Sequence, residues 1–578
     1  MVSSSTNDNN LEVMRHSCAH VLAAAVQKLY PGTKFAIGPT IDNGFYYDFG
    51  FKKSLSEHDL VKIEREMAKI IKANLVFTKK QLSHQQAKKI FVNQFYKLEL
   101  LEELVCDGQK TVTIYQTGNF IDLCLGPHVR STSQIGPFKL LSLAGAYWRG
   151  DENQPMLTRI YGTCFVNQKK LDQHLDQLEK AKKRDHRLIG KNLNLFSFHP
   201  QASPGNVFWQ PKGYFLMKKL IEYWREKHEK AGYLEVRTPE ILTNSIWDIS
   251  GHLKSFADKM YRVSTPDDKN NWNMSIKPMN CDGGVLIYKN SPKSYRDLPL
   301  RMGELGVVHR YEASGELHGI IRSREFTQDD AHIFCTKSQV KSEIKEIIDL
   351  CFDFYQKFDL GLDHLELSTR PKNSIGSDEI WQEAETVMEN ILKENEIDYK
   401  INKGDGAFYG PKIDFHLKDS LGRTWQCSTI QLDFAQPENF DLSYTNQAGK
   451  KVRPVMIHRV IYGSLERFLG ILIESNGGNF PFWLAPTQAI IIPITDQQIK
   501  YAQQVKKNIK KINNIRIEID TSNETASKKI ALAEGQKIPY LIIIGAKEAK
   551  SKTINIRKRG EGVLGEMRIE EFVKSTQS

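Results

Sequence analysis

Residues 301–334 read RMGELGVVHRYEASGELHGIIRSREFTQDDAHIF, and the rest of the chain is organised around them. Apolar residues alternate on both flanks (Leu305, Val307 and Val308; Ile320 and Ile321), with a Ser314-Gly315 turn region between. That pattern predicts two antiparallel strands joined by a tight connection. One arm carries Arg310, Tyr311 and Glu312; the other carries Arg322, Arg324, Gln328, Asp329, Asp330 and His332. Guanidinium groups bind phosphate and carboxylate bidentately, so inward-facing arginines on paired strands can hold a polyanion in fixed geometry. A charged, solvated hairpin is the plainer reading of an Arg-rich ribbon. Here Arg, Glu, Gln, Asp and His are interleaved with buried-type residues, which favours a site.

Around this stretch, the length of 578 residues exceeds what one hydrophobic core serves, and three or four domains are expected. A composition of 40% hydrophobic and 26% charged residues is that of an ordinary globular protein. No apolar run approaches the ~20 residues needed to cross a bilayer. The start, MVSSSTNDNNLEV, has neither an apolar core nor an Arg-rich amphipathic pattern, so no targeting peptide is expected. Eight cysteines without CxxC spacing argue against a disulfide framework and for a reducing compartment, the cytoplasm. The net charge of +11 favours a polyanionic partner. From Leu484 onward 17 Lys+Arg face 10 Asp+Glu, so +7 of that excess lies in the last sixth of the chain.

Near the N-terminus, His16 and His20 are spaced to share one face of a helix that Pro31-Gly32 ends. A second cluster, Asp122, Cys124 and His128, follows far downstream. Two such groups suit either a zinc set or a metal-free acid/base and water-orienting site. Gly145 to Arg149 and Tyr161 to Thr163 read as closing strands of the same α+β domain. The charged helical stretch 169–187 reads as a solvated linker without chemistry.

In the centre, Lys212-Gly213 opens an amphipathic helix and a strand follows to Pro239. Later come KPMNC (277–281), FTQDDAHIFC (326–335), AFYGPKIDF (407–415), MIHR (456–459) and GSLERF (463–468). The helix and strand ending at Pro239, the Arg310-Tyr311-Glu312 hairpin, and the junction from Gly463 to Arg467 resemble the three signature motifs of class II aminoacyl-tRNA synthetases. The intervening segments are similar to those of bacterial-type threonyl-tRNA synthetases. The resemblance runs from about Arg15 to about Phe572.

It implies an α+β multidomain chain: a polar tail (1–10), an editing domain (11–168), the linker helix (169–187), a catalytic domain on an antiparallel sheet (188–483), and a C-terminal α/β anticodon-binding domain (484–578). It implies a threonine–tRNA ligase, ATP-dependent and AMP-forming, that joins L-threonine to tRNA(Thr), forms a homodimer through its first motif and touches no membrane. By resemblance Arg310 bridges the threonine carboxylate and the α-phosphate, and Arg322 and Arg467 bind the other phosphates, with Mg²⁺ accompanying ATP. Glu312, Phe326 and Gln426 hold the adenine and ribose, Lys412 adds charge near the α-phosphate, and His252 accepts the tRNA ribose proton. Cys281, His332 and His458 match the family's zinc ligands, and Met279, Gln328, Asp330 and Tyr409 match its threonine pocket. Such a site rejects valine, which lacks the hydroxyl, but serine differs by one methyl worth only ~1–3 kcal/mol. A second, hydrolytic site is therefore expected, and His16, His20, Asp122, Cys124 and His128 match the family's metal-free editing site. Asn523, Lys537, Glu548 and Arg557 fall where the family reads anticodon bases.

The sequence also departs from the family. Only about ten residues precede the editing motif, where many members carry a ubiquitin-like domain. Asp282-Gly283-Gly284 stands where Pro-Gly-His is usual. Tyr311 and Glu325 are unusual in the hairpin, and Ala531 replaces a basic residue.

Overall fold

The computed structural model of the chain describes residues 4–151, 153–266 and 272–576, with side chains from residue 10. It separates into two compact units, Met1–Glu179 and Lys180–Ser578.

In the first unit the helix Ser4–Leu29 is buried on every side from Ser17 to Val26, including Cys18, Val21, Leu22, Ala25 and Val26, as an apolar stretch without a polar face requires. They pack with Phe45, Tyr47 and Phe49 of the strand Gly44–Gly50. That strand belongs to a five-stranded antiparallel sheet closed by the paired strands Phe138–Tyr147 and Met156–Cys164. A second, three-stranded sheet carries Thr111–Thr117 and Phe120–Leu123.

The expected linker helix is interrupted. Gln168–Lys183 ends, and a second helix, His186–Asn192, begins at Asp185, whose carboxylate accepts from the Arg187 N–H at 2.8 Å. The short acidic side chain caps the new helix and stops the old one. The stretch is not merely solvated either, because His186 is fully buried.

In the second unit, Pro211 sets the first turn of the helix Pro211–Lys230. Leu216, Leu220 and Trp224 form its buried stripe, and Gly232 (φ 74°) turns the chain away. The strand after it is only Leu234–Glu235, parallel to Met302–Gly303. The core is an eight-stranded sheet. From Leu300–His309 through Glu325–Cys335, Val455–Val460, Thr424–Asp433 and Lys412–Lys418 to Gly361–Ser368 it is antiparallel, and each edge adds one short parallel strand. The helix Val340–Lys357 covers one face, burying Ile344, Ile347, Ile348, Cys351 and Phe354. The opposite face carries the cavity described below.

The opening stretch forms the two strands that alternation predicts, paired from Leu300↔Phe334 to His309↔Glu325. One expectation is corrected. Arg310, Arg322 and Arg324 stand not on the strands but in the 310–324 connection. That segment offers charges, glycine and serine in place of alternating apolar side chains, so the ladder cannot continue through it.

The C-terminal segment forms a five-stranded sheet ordered Ile517–Ile519, Ala489–Pro493, Tyr540–Ile544, Ile554–Lys558, Gly562–Met567. The first three are parallel and the last two antiparallel, a partly parallel α/β arrangement.

Candidate functional site

Strand alternation decides what the hairpin presents. Gln328, Asp330 and His332 face a cavity, while Ile333 packs with the core under the helices. The same cavity, about 270 Å³, is lined by Met279, Cys281, Arg310, Tyr409, Lys412, Gln426 and His458. His332 lies directly across the strand pair from His458, with perpendicular rings 5.1 Å apart. Tyr409 donates to Gln431 Oε1 at 2.6 Å, with its ring 5.0 Å from that of His458. Lys412 pairs with Asp414 and Asp405, each at 2.9 Å. Burial opposes its charge, but those carboxylates outweigh burial and raise its pKa. Gln426 donates to Asp414 at 2.7 Å.

Arg310 donates to the Pro278 carbonyl at 3.1 Å and lies 5.2 Å from the Phe326 ring centroid. Burial pulls its pKa down, so an anionic ligand would be favoured there. The connection's other charges are paired among themselves. Arg322 contacts Glu312 at 2.9 Å and Glu316 at 3.0 Å, and Lys259 reaches Glu312 at 3.3 Å. Glu312, Arg322, Phe326 and Arg467 therefore border the cavity lining without being part of it; Arg467 keeps a buried Nε without a hydrogen-bond partner. His252 is fully buried, with Nδ1 2.7 Å from Ser250 Oγ and Nε2 3.3 Å from Met279 Sδ. Burial, then His458 and Arg310, hold it near 4, so it is neutral at physiological pH.

Several residues that organise this site carried no separate signal in the sequence. Asp329, on the back of the hairpin, accepts three main-chain N–H groups, from Ile461, Tyr462 and Gly463 at 2.9, 2.9 and 3.0 Å. It ties the hairpin to the turn before the helix Leu465–Asn476. Gly463 is required there: its φ is 84°, and a Cβ would stand 2.7 Å from the Cys427 carbonyl. Asp433 accepts from His458 Nε2 at 2.8 Å, which fixes that tautomer and leaves Nδ1 as the lone-pair nitrogen.

The residues present fit a soft divalent metal. His332 Nε2 is buried without a hydrogen-bond partner, and the buried Cys281 thiol and His458 line the same cavity, although the ligand atoms of Cys281, His332 and His458 do not all lie within 4.8 Å of one another. One thiolate with two imidazoles is a zinc-type donor set that keeps a position open. Cys281 also approaches His252 and Asp282, and these three are the trio here whose ligand atoms lie within 4.8 Å of one another.

The departures from the family have local explanations. Asp282 is buried against His252 Nδ1 at 3.5 Å and Cys281 Sγ at 3.6 Å, and burial lifts its carboxyl to about 7. Both glycines lie in the helix Cys281–Lys289; a Cβ on Gly283 would stand 2.5 Å from Thr238, which leaves it no room, and one on Gly284 3.1 Å from His332 Nδ1, a tight contact. Tyr311 lies under the Arg324 guanidinium at 4.6 Å, and Glu325 takes His309 at 3.2 Å. Ala531 is exposed and nothing in the structure explains it.

In the N-terminal unit the fold brings His16, Cys124 and His128 together. His16 Nε2 lies 2.9 Å from Cys124 Sγ, which lies 3.3 Å from His128 Nε2, and the two imidazoles stack at 4.5 Å. His20 sits behind them, edge-on to Phe77, Phe120 and His128, with neither nitrogen hydrogen-bonded. Asp122 turns toward Lys97 (2.5 Å) and Tyr47 (2.7 Å), two residues that composition alone gave no reason to single out. Burial holds His20 near 3 and His128 near 2 and pushes the Cys124 thiol up to about 11, so the group is uncharged at neutral pH. It borders a cleft of about 480 Å³ that also includes Lys97 and Asp122.

The four residues expected to read the anticodon are not gathered by hydrogen bonds. Asn523 is exposed in a loop, Lys537 has a left-handed backbone (φ 58°), Glu548 accepts from its own Gly545 N–H at 2.8 Å, and Arg557 pairs with Glu534 at 3.0 Å.

A six-stranded antiparallel run flanked by helices, with buried cationic groups and an imidazole–thiol set on its open face, defines a class II aminoacyl-tRNA synthetase core. Family models match accordingly: a tRNA synthetase class II core domain (G, H, P, S and T) over residues 261–476, an anticodon binding domain over 488–578, and the threonyl and alanyl tRNA synthetase second additional domain over 112–161. The chain belongs to the threonyl-tRNA synthetase family: it is 51% identical over 569 residues to the threonine–tRNA ligase of Acetivibrio thermocellus, covering 98% of this chain and 88% of that one. A threonine–tRNA ligase of Clostridium botulinum (strain Hall) is 52% identical over 568 residues, with the same coverage. Among solved structures, the RNA binding domain of threonyl-tRNA synthetase from Cryptosporidium parvum is 39% identical with a TM-score of 0.64, covering 68% of this chain and 98% of that one. A putative threonyl-tRNA synthetase from Aeropyrum pernix is 26% identical with a TM-score of 0.58, over 68% and 96%.

Proposed function

We propose that this chain activates L-threonine with ATP, transfers it from the adenylate to tRNA(Thr), and hydrolyses mischarged Ser-tRNA(Thr) at its N-terminal site. The observation that carries the reading is one cavity in which the half-buried Arg310 and Lys412 meet Cys281, His332, His458, Gln328, Asp330 and Tyr409. Adenylation brings two anions together, the threonine carboxylate and the α-phosphate, so charge neutralisation and alignment dominate the barrier. Arg310 supplies both, because its guanidinium can bridge the two groups bidentately. Lys412 adds charge at the α-phosphate, Glu312, Phe326 and Gln426 hold the adenine and ribose, and Arg322 and Arg467 bind the other phosphates once Arg322 leaves its present carboxylate partners. Mg²⁺ accompanies the ATP phosphates.

Zinc on Cys281, His332 and His458 would supply a Lewis-acidic position for the threonine amino and hydroxyl groups. Asp330, held by Asn280 at 3.3 Å, Gln328, Met279 and Tyr409 shape the pocket around that position. His252, neutral but buried, takes the ribose proton when the tRNA end reaches it.

At the second site the neutral His16, Cys124 and His128 orient water on the seryl ester, and His20, Asp122 and Lys97 keep them in place. Asn523, Lys537, Glu548 and Arg557 contact the anticodon. Exposed Tyr214, Leu234 and Ile241 on the first motif support a homodimer through that surface. No described helix is long and apolar enough to cross a membrane, and the cytoplasm is the proposed location. Charging of tRNA(Thr) with labelled threonine tests the reading: wild type charges, Arg310→Ala does not, and charging with valine but not threonine would overturn it.

A further inference from the structure

The outer half of the catalytic sheet carries a second group of ligating side chains, to which the reaction above gives no role. His364 and Glu366 lie two residues apart on the strand Gly361–Ser368, so both project from one face. His416 lies directly opposite His364 on the neighbouring strand. The two imidazoles stack with centroids 4.5 Å apart and planes 3° apart. Both turn Nε2 toward one carboxylate: His364 lies 3.1 Å from Glu366 Oε1 and His416 3.4 Å from Oε2. The three ligand atoms all fall within 4.8 Å of one another, and all three residues are half-buried.

The surrounding hydrogen bonds say what is missing. His364 is held between two carboxylates: its Nδ1 lies 2.8 Å from Asp363 Oδ2 and its Nε2 makes a 3.1 Å hydrogen bond with Glu366 Oε1. His416 Nε2 is shielded from solvent and makes no hydrogen bond. Asn402 Nδ2 donates to Glu366 Oε2 at 3.0 Å, while Lys418 (3.3 Å) and the Thr424 hydroxyl (3.2 Å) engage Asp363. A cation at the centre would replace the His364–Glu366 bond and give His416 Nε2 a partner, and a carboxylate behind a ligating imidazole, as Asp363 is here, is the usual support for one. The group also sits at an irregularity in the ladder these two strands share, where the pairing register slips between Leu362 and His364. A second slip, between Asp414 and His416, lies in the next ladder, with the strand Thr424–Asp433. Such irregularities disrupt the main-chain pairing locally.

We propose that His364, Glu366 and His416 form a binding site for one divalent transition cation of the zinc class, which clips the two strands together beside the register slip at Leu362/His364. Two imidazoles and a carboxylate suit zinc, nickel or copper over magnesium or calcium. His416 pairs in register with Gln426, so the clip steadies the strand from which Gln426 reaches the cavity.

Cobalt spectroscopy separates this site from the others. Of the other three such groups among the described residues, two include a cysteine, Cys281 or Cys124; the third, Asp185, His186 and Glu474, does not, and the His364→Asn/His416→Asn variant tells it apart. Cobalt bound at either cysteine shows a sulfur-to-metal charge-transfer band, and cobalt on His364, Glu366 and His416 does not. Metal-free full-length chain is titrated with Co²⁺. The proposal expects a saturable visible component without the sulfur band that Zn²⁺ competes away and that persists in Cys281→Ala and Cys124→Ala. Affinity for it falls at least about 100-fold in His364→Asn/His416→Asn and ~10-fold in Asp363→Asn. If all saturable cobalt in wild type carries the sulfur band, or if the sulfur-free component keeps its affinity in the folded His364→Asn/His416→Asn variant, the proposal is wrong. A wild type whose saturable cobalt all carries the sulfur band decides against the proposal even if a variant fails to fold.

Discussion

Arg310 is where the account is most exposed at the scale of single residues. It is half-buried, and its guanidinium is placed by the Pro278 carbonyl and the Phe326 ring. Lysine keeps the charge but not the planar fork, so Arg310→Lys should lower threonine-dependent adenylation by ~10²–10³-fold, with circular dichroism unchanged; near-normal rates would place the bridging role elsewhere. Cys281→Ala should lose threonine activation together with one zinc equivalent per chain, read by metal analysis beside the activity assay. The N-terminal histidines give a pH prediction. His20 near 3 and His128 near 2 lie below the ordinary imidazole value of 6.5, so between those limits the unfolded chain binds more protons than the folded one. Their contribution to stability is full above 6.5 and is lost as the pH falls toward 3. Unfolding near pH 5 should take up about two extra protons, and His20→Phe should remove about one, measured by calorimetry in buffers of different ionisation enthalpy. These residues were legible because His, Cys and Arg carry chemistry in any context. Lys97 and Tyr47 were not, since a lysine or tyrosine reads as surface or core until its ion pair with Asp122, or its hydrogen bond to it, is seen.

At the scale of elements, alternation gave both hairpin strands but placed the arginines on them. The charges themselves end the ladder at His309↔Glu325, a break that a two-residue period cannot reveal. The linker shows the opposite failure, where composition suggested solvent and the structure shows a joint. His186 Nδ1 donates to Glu474 Oε1 at 2.6 Å, and its Nε2 accepts the Ile320 N–H at 3.2 Å. It thereby fastens the arginine-bearing connection to the end of the helix Leu465–Asn476. Gly319 makes room for it, since a Cβ there would stand 2.2 Å from His186 Nε2. His186→Ala strips partners from two buried groups and should cost ~2–4 kcal/mol of stability. The same change should raise KM for ATP more than KM for threonine. A variant that unfolds at the wild-type temperature with unaltered KM for ATP would deny the joint any role.

At the scale of the whole molecule, charge distribution and motif order were legible from end to end. The compact division falls at Glu179/Lys180, inside the helix Gln168–Lys183 and within the 169–187 stretch expected to link the domains. Two sites for one amino acid predict a separable defect. His16→Ala or Cys124→Ala should leave threonylation near normal and let Ser-tRNA(Thr) accumulate, because a lost methyl alone gives only ~1–3 kcal/mol of discrimination at the first site. If Ser-tRNA(Thr) is still cleared, the editing assignment fails. Everything above depends on one claim, that the cavity on the sheet joins threonine to ATP. ATP–pyrophosphate exchange measures that step without tRNA. The account predicts exchange that depends on threonine, is supported more weakly by serine, is absent with valine, and disappears in Arg310→Ala; exchange that is indifferent to threonine, or as strong with valine, would contradict it.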